Sequence, residues 1–281
     1  MPSIADLLSE GRRRLAAAAF SPQPREASLL LCRVLGWSEA RVMAYPESEV
    51  DPAAASRFRE LLTRRVRGEP AAYVLGEREF YGRSFRVDNR VLIPRPESEL
   101  LVEIALALDL PPAPRILDVG TGSGCLAVTL ALELRAARMT AVDLSPAALA
   151  VAAENARRLG ASVHFAAADL ASSLQLDSFD LVVSNPPYIA PEEASEISRE
   201  VVDHEPAAAL FSPAGGLSTI SRLLNELAGL PGGVWLAMEI GHRQANDVAR
   251  LAASSPFELL EIRPDLAGIP RVALLERSTT S

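Results

Sequence analysis

Apolar residues recur every three to four positions through the first quarter of the chain, and the period then changes. Ile4, Leu7, Leu8 and Leu15 follow Ser3, with Asp6 at capping-box spacing, which predicts a helix beginning at Ser3. A second helix is predicted from about Pro24 to Leu35, stopped by Gly36. Asp51-Pro52 supplies an N-cap followed by proline at the first helical position, and Phe58, Leu61, Leu62 and Val66 then form one stripe that ends at Gly68. Residues 1–69 therefore read as a small helical bundle. Over residues 70–94, Phe80, Phe85 and Val87 alternate with polar residues around Tyr81-Gly82-Arg83, the pattern of a β-hairpin linker. Pro94 and Pro96 close it, and Pro96 opens a helix carrying Leu100, Leu101 and Ile104. From Arg115 onward strands are predicted at 115–119, 138–142, 162–166, 179–184, 233–239, 257–263 and 271–276, with helices between most of them. Residues 95–281 thus read as an α/β domain with a parallel sheet covered on both faces. In such sheets ligands bind beyond the carboxyl ends of the strands.

Four of those ends carry candidate chemistry. The first strand runs into Gly120-Thr121-Gly122-Ser123-Gly124. Glycines permit positive φ and close approach of backbone to a ligand. The third glycine falls one residue too early for the dinucleotide fingerprint, and a turn without a ligand remains open. The second strand ends at Asp143, 23 residues past Gly120. An acid there can accept hydrogen bonds from a ribose diol, or it can cap the next helix, a role that suits Ser145 better. Asp169, after the third strand, is placed to meet an adenine amino group and is also a candidate N-cap. The loop and two acids at successive strand ends together predict nucleoside binding.

The fourth strand ends in Asn185-Pro186-Pro187-Tyr188, either a proline turn or an acceptor site. An amide or aromatic amino nitrogen is a poor nucleophile because its lone pair is delocalised. Orientation helps it more than a strong base does. The Asn185 side-chain carbonyl and the Pro186 main-chain carbonyl can accept its two N–H groups, held stiffly by consecutive prolines. Tyr188 offers a face on which a planar acceptor can stack. Preorganised dipoles then supply the rate, and no metal is required. Asp203-His204-Glu205 reads as solvated loop.

The net charge of −8 argues against a protein built to grip nucleic acid. All 28 basic residues are arginine, which excludes Schiff-base and P-loop lysine chemistry. Cys32 and Cys125 match no metal or disulfide framework. Asp6, Glu10 and Arg12–Arg14 interrupt any signal-like apolar core near the N-terminus, and no apolar run approaches ~18 residues; the expectation is a cytoplasmic protein without a membrane span. Arg12–Arg14 form one arginine cluster, and Arg57, Arg59, Arg64, Arg65 and Arg67 another. Each is either a solvated face or a docking surface.

The chain resembles the bacterial peptide chain release factor glutamine methyltransferases over most of its length. The resemblance is carried by Tyr73, Gly76, Phe80-Tyr81-Gly82, Phe85, the run Leu92 to Glu99, Gly120 to Gly124, Asp143 and Asn185 to Tyr188. Glu205-Pro206, Gly215-Gly216-Leu217, Glu239-Ile240-Gly241 and Asp265 to Gly268 add to it. It implies a Rossmann-like, seven-stranded class I methyltransferase sheet behind an N-terminal helical domain. It implies S-adenosylmethionine as cofactor, contacted by Gly120 to Gly124, Asp143, Asp169, Leu170 and Asn185, and S-adenosylhomocysteine as product. It implies as substrate the Gly-Gly-Gln glutamine of a class 1 release factor, held by Asn185, Pro186, Pro187 and Tyr188. Leu170 stands where tryptophan is frequent, and Ser98 where threonine is common. Three rivals remain open at this stage: a ribosomal-protein glutamine methyltransferase, an adenine or cytosine amino methyltransferase, and a regulatory cofactor-binding module. No stable DNA binding is expected.

Overall fold

The computed structural model describes residues 1–20, 22–172, 174–176 and 178–278. Helices α1 (Ile4–Ala16), α2 (Glu26–Leu35), α3 (Glu39–Ala44), α4 (Pro52–Val66) and α5 (Ala71–Leu75) come first. Strands β1 (Glu77–Phe80) and β2 (Arg83–Arg86) form the hairpin. Then follow α6 (Glu99–Ala107), β3 (Arg115–Val119), α7 (Cys125–Glu133), β4 (Arg138–Asp143), α8 (Pro146–Leu159), β5 (Val163–Ala167) and β6 (Leu181–Ser184). Helices α9 (Arg199–His204), α10 (Ala207–Leu210) and α11 (Ser218–Glu226) lead to β7 (Trp235–Glu239), α12 (Ala245–Ala253), β8 (Phe257–Pro264) and β9 (Pro270–Arg277).

Two compact units emerge. The helical unit comprises Met1–Glu77 together with Ser198–His204, so α9 belongs to it despite its distance along the chain. The expected capping box at Ser3 and Asp6 is present, as are the Asp51 cap and the left-handed Gly36 stop. The core is built from Leu7, Leu30, Leu31, Val42, Phe58 and Leu62. Arg65 lies on the same face of α4 as Phe58 and Leu62, and is 2% exposed. Its guanidinium meets Glu26 at 2.6 Å and Glu200 of α9 at 3.2 Å. This corrects the reading of Arg65 as part of an exposed cluster. Arg64 and Arg59 are engaged as well, with Glu69 and Glu10. Among the described residues no ion pair engages the exposed Arg12, Arg13, Arg57 and Arg67.

The second unit, Arg78–Ile197 and Glu205–Ser281, is built on a seven-stranded sheet of order β5-β4-β3-β6-β7-β9-β8. The β5-β4-β3-β6-β7 ladders are parallel, while β9 pairs antiparallel with both β7 and β8. The expected parallel sheet holds across those five strands, and β9 alone runs against its neighbours. Only the short turn after Pro264 separates β8 from β9, too little chain for a crossover, so the two form a hairpin. Both faces of the sheet are covered. Leu117, Val182 and Leu236 pack on the side of Ile220 and Leu223 from α11 and Val248 from α12. Ile116, Leu181 and Ala237 pack on the side of Leu101 and Ile104 from α6 and Leu130 from α7, where Phe80 and Phe85 of the hairpin also sit. Tyr81 and Gly82 turn that hairpin with φ of 50° and 70°, both positive as a two-residue type I′ turn requires. Among the described residues no helix is long and apolar enough to cross a membrane.

Candidate active site

The four candidate segments lie at the carboxyl ends of four adjacent strands, β5, β4, β3 and β6. Neighbouring strands are about 4.8 Å apart, so one nucleoside-sized ligand can span them. The Gly120–Gly124 turn is pinned from below. The Gly120 and Thr121 N–H groups both donate to the Val142 carbonyl at 2.9 Å. The three glycines adopt positive φ for different reasons. A Cβ on Gly120 or Gly122 would meet nothing within 4 Å, so their backbone faces open space. A Cβ on Gly124 would come within 3.0 Å of the Ala152 Cβ on α8, so Gly124 serves close packing. Thr121 and Ser123 are buried and support the turn. An open, side-chain-free backbone surface at the start of α7 fits a cofactor's close approach.

Asp143 ends β4 half-buried. One carboxylate oxygen accepts the Gly122 N–H and the other accepts the Ser145 N–H, each at 2.8 Å. Ser145 caps α8 through Ala148, so Asp143 is not that cap and keeps lone pairs for a diol. Asp169, exposed, pairs with Arg222 at 3.0 Å. An exposed pair of this kind is weak, about 0–1 kcal/mol, and can yield to a ligand. Leu170 beside it is partly buried and takes φ of 52°, a conformation leucine rarely adopts.

Asn185 follows β6, and the Ser184 hydroxyl donates to the Val119 carbonyl at 2.8 Å, which ties that strand end to the glycine turn. Among the described residues no hydrogen bond occupies Asn185 Oδ1 or the Pro186 carbonyl, while Asn185 Nδ2 donates to Ser98 Oγ at 2.9 Å. Tyr188 OH donates to Glu239 Oε1 at 3.0 Å. Burial raises the Tyr188 hydroxyl above its ordinary range, with Glu239 adding to the effect, so the phenol stays neutral. Beyond Tyr188 the chain is clamped by Gln244, whose Nε2 donates to the Tyr188 carbonyl at 2.9 Å and to that of Gly215 at 3.2 Å. A Cβ on Gly216 would lie 2.0 Å from the same Tyr188 carbonyl, which explains that glycine, whereas Gly215 answers only to its φ of 66°. Glu205, read as solvated loop, is 5% exposed; it accepts from the Ile93 N–H at 3.1 Å and from Arg95 at 2.6 Å.

Sequence reasoning attached no role to Ser98, Gln244 or Asp118. Asp118, inside β3, is fully buried and accepts from the Thr121 hydroxyl at 2.7 Å. Burial pushes its carboxyl up to about 7. Glu239 was visible only as part of a family-like tripeptide.

Two family models match the chain: "PrmC N-terminal domain" over residues 6–76 and "Methyltransferase small domain" over residues 96–225. A release factor glutamine methyltransferase of Koribacter versatilis is 44% identical over 94% of this chain and 95% of its own length. The chain belongs to the release factor glutamine methyltransferase family. A second member, from Nitratidesulfovibrio vulgaris, is 42% identical over 98% of this chain and 96% of its own. This family member is a methyltransferase, and S-adenosylmethionine is its methyl donor. A solved methyltransferase from Pyrococcus furiosus shares the fold, with a TM-score of 0.54 at 16% identity, over 78% of this chain and 98% of that one.

Proposed function

We propose that the protein transfers the methyl group of S-adenosylmethionine to the side-chain amide nitrogen of the glutamine in the Gly-Gly-Gln motif of a class 1 release factor. The observation that carries this reading is the pair of unoccupied acceptors, Asn185 Oδ1 and the Pro186 carbonyl, beside the glycine turn. The names of the relatives favour this substrate over a ribosomal protein or a base.

The cofactor supplies an electrophilic methyl on a sulfonium. The chain's own groups do the rest. The open backbone of Gly120 and Gly122 admits the cofactor, and Asp143 accepts from its ribose diol. Asn185 and Pro186 each accept one N–H of the substrate amide. Electron density then moves toward nitrogen, and the lone pair is aimed at the methyl. Pro187 stiffens the turn and the Tyr188 ring supports the planar amide. Methyl transfer leaves the nitrogen with one proton in excess, which departs to water as the amide regains planarity. Asp169 and Leu170 border the adenine. The expected division into 1–69, 70–94 and 95–281 shifts with the compact units: residues 1–77 with 198–204 form a recognition domain, the β1–β2 hairpin leads out of it, and the remainder of 95–281 is the catalytic domain.

The test is incubation with labelled cofactor, offering purified release factor and duplex DNA in parallel, followed by mass spectrometry of the product. Label on the Gly-Gly-Gln glutamine is expected. Label on DNA, or on another release factor residue, overturns the reading. Asn185→Ala should fold normally and lose about 10²–10³ in turnover, as when one preorganised polar partner is deleted. Wild-type turnover in that variant would remove Asn185 from the chemistry.

A further inference from the structure

Behind the tetrapeptide lies a buried carboxylate that the mechanism above does not use. Glu239, at the end of β7, is 1% exposed, and Ser98, just before α6, is 2% exposed. Ser98 Oγ donates to Glu239 Oε2 at 2.5 Å. Asn185 Nδ2 donates to Ser98 Oγ at 2.9 Å, and Tyr188 OH donates to the other Glu239 oxygen at 3.0 Å. One carboxylate thus underlies both polar side chains of the tetrapeptide.

An asparagine amide has a donor end and an acceptor end of almost the same shape, so packing alone does not choose between its two orientations. Hydrogen-bond polarity does. Glu239 accepts through both of its oxygens, from Ser98 and from Tyr188, and a serine hydroxyl has a single proton to give. With that proton on Glu239, Ser98 presents only lone pairs to Asn185. The amide must therefore offer its NH2 end to Ser98, which leaves Oδ1 facing the open side. Reversing the amide would set Oδ1 against the Ser98 lone pairs and turn two N–H donors toward a substrate that itself brings N–H donors.

We propose that Ser98 and Glu239 are positioning residues for methyl transfer: the Glu239–Ser98–Asn185 chain fixes which end of the Asn185 amide meets the acceptor nitrogen, while the Glu239–Tyr188 bond holds the ring beside it. This rests on the reading of Asn185 as the partner of the acceptor amide.

Threonine and valine at position 98 have nearly the same volume and differ only in a hydroxyl against a methyl. Ser98→Thr should keep kcat within about threefold of wild type. Ser98→Val should lose about 10- to 100-fold in kcat, typical of removing a group that orients a reacting side chain. The KM for the cofactor should change by less than about threefold in both, because the lost interaction acts on the reaction and not on cofactor binding. In an Asn185→Ala background the two substitutions should become equal within about twofold, since residues acting through one group are not additive. Equal rates for the threonine and valine variants in the otherwise native chain would overturn the proposal. So would a difference between them that persists in the Asn185→Ala background. Should the added methyl unfold both variants, Glu239→Leu, which removes both acceptor oxygens at similar volume, carries the test: wild-type kcat there refutes the positioning role. Failure of the underlying reading looks different, because Asn185→Ala alone would then turn over at the native rate.

Discussion

Asp143 holds two backbone N–H groups at 2.8 Å, those of Gly122 and Ser145, and a ribose diol would add hydroxyl donors to the same carboxylate. Asp143→Ala removes both kinds of interaction, and they separate by assay. A hydrogen bond to a charged group contributes roughly 1.5–3 kcal/mol, so losing one bond to the diol should weaken cofactor binding about 10- to 150-fold. The Gly122 and Ser145 amides are half-buried, so water can replace part of what they lose and the stability cost should be smaller, about 1 kcal/mol. Asp143→Asn retains one acceptor oxygen but sets an NH2 group against a backbone N–H, so it should fall between the alanine variant and wild type. Titration calorimetry with S-adenosylhomocysteine gives the affinity, and a urea melt gives the stability. A folded alanine variant with native affinity and lowered stability would show that Asp143 only anchors the glycine turn. The ribose assignment would then be wrong.

Glu26→Ala strands the buried Arg65 guanidinium with only the half-buried Glu200 as carboxylate partner, and should destabilise the protein by about 3 kcal/mol in denaturant unfolding; a loss below about 1 kcal/mol would mean that water reaches the guanidinium. Asp118 binds its proton more tightly folded than unfolded, so its contribution is full below the unfolded-state value and is lost as pH rises to about 7. Asp118→Asn should therefore flatten the fall in unfolding free energy between pH 4 and 7, followed by urea melts, by an amount on the order of 1 kcal/mol per pH unit, and a slope unchanged from wild type would assign that titration elsewhere. Charge reversal at Arg12 and Arg13, exposed and free of ion pairs among the described residues, should lower kcat/KM on intact release factor severalfold and weaken its salt dependence, while a Gly-Gly-Gln peptide reacts as before. Equal losses on protein and peptide would deny these arginines a part in recognition.

The elements that sequence made legible are those whose signals are local. Ser3 with Asp6, Asp51 with Pro52, and Tyr81 with Gly82 each act over a few residues, and each appears where its chemistry requires. The sheet strands were readable because a strand covered on both faces must be apolar on both. What escaped was set by distant partners. The Ser98–Glu239 bond joins residues 141 positions apart, and the Asn185–Ser98 bond joins residues 87 apart. No motif of a few residues announces such a pair. Arg65 is different, because its signal was local: it falls seven residues after Phe58 and three after Leu62, on the apolar stripe. Weight given to its charge over its position made it look solvated.

The membership of α9 in the helical unit has a consequence for the order in which the chain matures. Glu200 reaches Arg65 across 135 residues, so the ion-pair triad is incomplete while the intervening chain is still on the ribosome. At about 5–20 residues per second this interval lasts roughly 7 to 27 s. During it Arg65 is paired with Glu26 alone, and the hydrogen bond from its Nη2 to Glu200 is still to form. The apolar core of the first unit needs no residue of α9, so what arrives last is Glu200 as a second partner for Arg65. A product ending before residue 198 lacks that second carboxylate, and its N-terminal helices should be cut somewhat faster by protease than those of the finished protein; equal rates would show that Glu200 adds nothing to the unit.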